Sequence, residues 1–74
     1  MNIKISEHAA KRMAERNISE EVIRRAVDAE DWESYDVSEV DDSAVILTKV
    51  INGKKWSFVL NWETATLITC YPRR

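Results

Sequence analysis

Apolar residues recur along this chain with two different spacings. Up to about residue 30 they return every three or four positions, and from about Tyr35 they alternate with polar ones. The first period is helical and the second is that of a half-buried strand. Ile3 and Ile5, alternating with Asn2 and Lys4, fit a very short strand or an extended lead-in. Ser6 is a good helix N-cap, with Glu7 in the positive first turn. Ala9, Ala10, Met13 and Ala14 gather on one face of the helix that follows. Asn17 suits the left-handed position that ends it. Ser19 caps a second helix, with Ile18 placed to staple onto Ile23, and Val22, Ile23, Ala26 and Val27 form its apolar stripe until the pattern fades near Glu30. Only Asn17 and Ile18 separate the two helices, which predicts a compact corner.

After Tyr35 and Val37, a weak strand, Asp41, Asp42 and Ser43 read as a turn. Residues 44–51, AVILTKVI, form a strand rich in β-branched residues. Asn52-Gly53 is a type I′ hairpin signal. In residues 55–62, KWSFVLNW, Trp56, Phe58, Leu60 and Trp62 point one way, toward a core under the helices. Glu63 and Thr64 turn the chain into a last strand, 65–71, stopped by Pro72. These elements predict one α+β domain over residues 1–74, with two N-terminal helices packed on a three- to four-stranded antiparallel sheet.

Composition adds exclusions. Of the 74 residues, 45% are hydrophobic and 32% charged, as in an ordinary globular chain. No apolar run approaches the roughly 20 residues of a membrane span, so no membrane association is expected. The N-terminus lacks an apolar signal region. Cys70 is the sole cysteine and has no disulfide partner, which points to the cytoplasm. It reads as a small buried hydrophobe. His8 is the sole histidine, so no zinc-type cluster forms, and neither metal nor cofactor is expected.

The net charge of −2 conceals a segregation. Residues 28–42 carry eight acids and no base, whereas residues 43–74 carry five bases and one acid. The acidic run fits a solvated connection, a cation site through Asp41 and Asp42, or a cover folded onto the basic surface. His8, Arg12 and Arg16 stand at roughly 0°, 40° and 80° around the first helix, a stripe of one imidazole and two guanidiniums. Two guanidiniums so placed need a negative group between them, and a phosphate or a neighbouring carboxylate such as Glu15 suits the arginine fork. Lys54 and Lys55 follow the hairpin turn, and Tyr71, Arg73 and Arg74 close the chain.

The stretch SEHAAKRMAERNISEEVIRRAV, with Ser6, His8, Ala9, Arg12, Met13, Arg16, Ile18 and Ser19, resembles the opening of a family of small bacterial domains. Ile68, Thr69 and Tyr71 resemble its closing strand. Asn17 replaces that family's glycine and keeps the left-handed cap. The family is grouped with the RelE/ParE-like toxins of the barnase–EndoU–colicin–RelE class. The resemblance implies a RelE-like fold and a toxin-antitoxin-type ribonuclease working without metal, by attack of a ribose 2′-hydroxyl on phosphorus. It implies RNA, including ribosome-bound mRNA, as substrate, and an antitoxin or immunity protein as partner. On this reading His8 is base or acid, Arg12 and Arg16 hold the phosphate, Tyr71 serves the leaving oxygen, and Lys55, Arg73 and Arg74 bind substrate. The acidic run departs from what a polyanion-binding enzyme needs. A non-catalytic protein-binding module is the alternative, as is a homodimer built through the strand near Tyr35 or the last strand.

Overall fold

The computed structural model describes residues 2–38 and 42–73. The chain runs β1 (Lys4–Ile5), α1 (Glu7–Arg16), α2 (Glu20–Ala29), β2 (Ser34–Val37), β3 (Ala44–Ile51), β4 (Lys54–Asn61) and β5 (Thr66–Pro72). Both helices begin where a serine hydroxyl accepts an orphan backbone N–H: Ser6 from Ala9, Ser19 from Val22. Asn17 ends α1 at φ 58°, in the left-handed region. Asn52 and Gly53 turn β3 into β4 with φ of 52° and 80°, as a type I′ hairpin requires.

The strands form one five-stranded sheet in the order β1-β5-β4-β3-β2. The fold is α+β, and the sheet is mixed, which corrects the expected three- to four-stranded antiparallel meander. The extra strand is β1, which pairs parallel with β5 through Lys4 and Ile5. Two residues carry too little periodicity for the sequence to place them. What fixes them is a set of tertiary hydrogen bonds: Lys4 N to Ala65 O, Ser6 N to Leu67 O, and Arg24 Nη1 to Ile3 O at 2.7 Å.

The helices cover one face of the sheet. Ala9 and Met13 of α1 and Ile23, Ala26 and Val27 of α2 bury against Val45, Leu47, Trp56, Phe58, Leu60, Leu67 and Cys70. Full burial of a side chain such as Ile23 is worth about 1.5–3 kcal/mol. Ile18 and Trp32 pack at the margin of this core. Trp62 continues the Trp56–Phe58–Leu60 row but lies just past the end of β4, and it is 56% exposed rather than core.

A β-bulge interrupts the β4–β5 ladder. Val59 faces Thr69 and Leu60 faces Leu67, so Ile68 is an extra residue on β5. A bulge reverses the alternation beyond it. Leu67 and Cys70, three apart, therefore both point into the core. Ser6 Oγ donates to the bulged carbonyl of Ile68 at 3.0 Å, tying the start of α1 to this irregularity.

Candidate functional site

The stripe on α1 forms as its spacing requires. His8 and Arg16 are exposed and Arg12 is half-buried, with Ala9 and Met13 turned inward. Arg12 Nη1 donates to Glu15 Oε2 at 2.8 Å, so a carboxylate on the same helix meets one guanidinium. His8 makes no hydrogen bond or ion pair with any described residue. Arg16 lies at the corner between the helices, where it shares a shallow depression with Asn17, Asn52, Lys54 and Trp56. Lys54 Nζ sits 5.8 Å above the Trp56 ring.

Tyr71 stands elsewhere. Strict alternation from Leu67 would turn Tyr71 toward the helices, but the bulge at Ile68 turns it to the opposite, outer face. There it is opposite Ser57 and 39% exposed. The helix stripe and Tyr71 therefore belong to opposite faces of the sheet, and no described hydrogen bond joins them.

The outer face assembles its own group. Lys54 and Lys55 are consecutive on β4, so they leave on opposite faces, Lys55 on the outer one. Arg73 follows β5 and reaches back across the sheet, where Nη1 donates to Thr48 Oγ1 at 3.4 Å. Thr48 and Ser57 are both buried, with their hydroxyls 3.4 Å apart. Lys55 Nζ meets Glu33 Oε1 at 2.9 Å. Tyr71, Arg73 and Lys55 are thus brought to one helix-free face, and Arg74 lies outside the described residues.

The acidic run folds back in part. Asp31 pairs with Lys49, whose ammonium also lies 6.0 Å from the Trp32 ring, and Glu33 pairs with Lys55. The hydrogen bond from Lys49 holds the Asp31 carboxyl below its ordinary value. Asp41 lies outside the described residues, and among the described residues no three His, Cys, Asp or Glu side chains converge as a metal site would need. Burial pushes the Cys70 thiol up, against the opposing charge of Arg16. No helix among the described residues is long and apolar enough to cross a membrane.

A family model described as a domain of unknown function, DUF4258, matches residues 5–72. The chain belongs to the DUF4258 family. No curated protein and no solved structure matches it at a significant level. The match takes in both the α1 stripe and Tyr71, and leaves Arg73 just beyond its end.

Two features of this DUF4258 domain escaped the sequence reading. The Thr48–Ser57 hydroxyl pair was signalled only by two small polar residues inside otherwise apolar strands. The second is a groove of about 310 Å³ beside α2, lined by Val27, Trp32, Tyr35, Leu60 and Trp62 among others. Its walls come from three stretches of the chain, 27–35, 45–47 and 60–65, and no local pattern announces it.

Proposed function

We propose that the domain binds RNA on the outer face of its sheet and cleaves it as a ribonuclease of the toxin type. The observation that carries this reading is the Arg73 guanidinium lying across β4 against Thr48, on the face that also holds Tyr71 and Lys55. Arginine's fork suits a phosphate, and the Arg73 charge would stabilise the charge that develops on the phosphate oxygens. In the step envisaged, the ribose 2′-oxygen bonds to phosphorus and the bond from phosphorus to the 5′-oxygen breaks. The 2′-hydroxyl proton passes to water, and the Tyr71 phenol donates its proton to the departing 5′-oxygen. The products are a 2′,3′-cyclic phosphate and a 5′-hydroxyl end. Arg12 and Arg16 serve as a second basic surface for the flanking polyanion, and His8 takes no part in the bond change.

The test is a cleavage assay on mixed-sequence RNA and on mRNA bound to ribosomes, with and without a chelator. Arg73→Ala and Tyr71→Phe are expected to reduce the rate by about 100-fold or more, as loss of a charge-stabilising or proton-donating group does. His8→Ala is expected to stay within a few-fold of the parent. Cleavage lost in His8→Ala and retained in Tyr71→Phe would move the site to α1. A folded parent that neither cuts nor binds RNA on either substrate would refute the reading.

A further inference from the structure

We propose that the free edge of β2 and the apolar groove beside it dock an extended, basic segment of a partner protein, which adds to the sheet as a sixth strand. β2 is the last strand of the sheet, and no described strand lies outside it. Its register pairs Ser34 with Thr48 and Asp36 with Ile46, and Ser38 N donates to Ala44 O at 3.0 Å. In an antiparallel ladder the bonded residues alternate. Residues 34, 36 and 38 therefore bond to β3, while the N–H and C=O groups of Tyr35 and Val37 point outward. A strand laid along this edge finds two donors and two acceptors in line.

Side chains support the same placement. Tyr35 and Val37 are 64% and 62% exposed, unusual for apolar residues on adjoining positions of one face. They lie opposite Leu47 and Val45, on the helix-covered side. Tyr35 is also a wall of the groove completed by Trp32, Leu60 and Trp62. Every second side chain of an added strand would thus meet an apolar surface already formed.

Charge selects the occupant. The segment 28–42 that carries β2 has eight acids and no base. Asp31 and Glu33 are paired with lysines of this chain, but Glu30, Asp36 and Asp42 form no ion pair with any described residue. Glu30 lines the groove itself. Two copies of the chain joined β2 to β2 would set this acidic segment against itself, which is unfavourable. A strand with alternating apolar and basic residues satisfies the edge, the groove and the charge together.

The probe is a synthetic peptide of alternating valine and lysine, eight residues long, compared with the same peptide carrying glutamate in place of lysine. Amide hydrogen exchange at Tyr35 and Val37 and the tryptophan fluorescence of the intact chain report binding. The lysine peptide is expected to slow exchange at both amides and to bind about tenfold or more tightly than the glutamate peptide at moderate salt. Val37→Pro removes an outward N–H and no ladder bond, and is expected to weaken binding about tenfold. Trp62→Ala, at an exposed groove wall, is expected to weaken it severalfold. Equal binding of the two peptides, or binding indifferent to both substitutions, would overturn the proposal. So would absence of protection at Tyr35 and Val37, or a β2-to-β2 dimer in solution. The readout involves no RNA, so its failure is separate from failure of the ribonuclease reading.

Discussion

Replacing Ser6 with alanine tests how α1 is held in place. The Ser6 hydroxyl accepts from Ala9 N and donates to Ile68 O, each at 3.0 Å. It is therefore both a helix cap and a bridge from α1 to the bulge of β5. Loss of a serine cap costs about 1 kcal/mol, and loss of a part-buried hydroxyl–carbonyl bond costs about 1 kcal/mol more. Ser19 provides the internal reference, since its hydroxyl caps α2 at 3.2 Å in an exposed setting and no other bond of it is seen. For a domain of this size each 1 kcal/mol moves the unfolding midpoint by about 4–8 °C. Ser6→Ala is thus expected to lower Tm by roughly 8–16 °C and Ser19→Ala by roughly 4–8 °C. Thermal unfolding followed by circular dichroism measures both. Ser6→Asp sharpens the comparison, because a carboxylate can cap the helix but cannot donate to the Ile68 carbonyl. It is expected to fall below wild type despite a good cap. If Ser6→Ala costs no more than Ser19→Ala, the bridge from Ser6 to Ile68 contributes nothing to stability.

Gly53→Ala is expected to cost about 1 kcal/mol in chemical denaturation, because a Cβ there meets no atom within 4 Å and only the positive φ of 80° opposes it. A loss of several kcal/mol would show that this account of the hairpin is wrong. Cys70 is expected to resist a thiol-reactive dye in the native state and to react fully once unfolded, since it is buried and its thiol is pushed up by that burial. Rapid native labelling would contradict the packing. The Asp31 carboxyl is held low by Lys49, so its contribution to stability is present above the carboxylate's unfolded value and disappears as pH falls through the lower folded value. Asp31→Asn should therefore differ from the parent at neutral pH and low salt, and converge with it in acid. A difference that grows on acidification would reverse the assigned sign.

Local chemistry along the chain was sufficient for the helices, their caps, the hairpin and the three long strands. Serine caps, a left-handed Asn and an Asn-Gly turn act within a few residues, so their consequences can be read without a partner in space. The 8/12/16 stripe was legible for the same reason, since helical spacing alone puts those residues together. What the fold alone decided depends on pairing between distant segments. β1 is a strand because Ala65 accepts the N–H of Lys4 and Leu67 that of Ser6 just beyond it, and nothing in residues 4–5 by themselves requires it. The roles implied for His8, Arg12, Arg16 and Tyr71 require the helix and the end of the last strand to share a surface, and one extra residue at Ile68 turns Tyr71 to the outer face of the sheet. A bulge leaves the composition of a strand unchanged but shifts its parity, which becomes visible only when the ladder is assembled. The meeting of Arg73 with Thr48 has the same origin: register between strands, rather than sequence within one, sets which side chains share a surface.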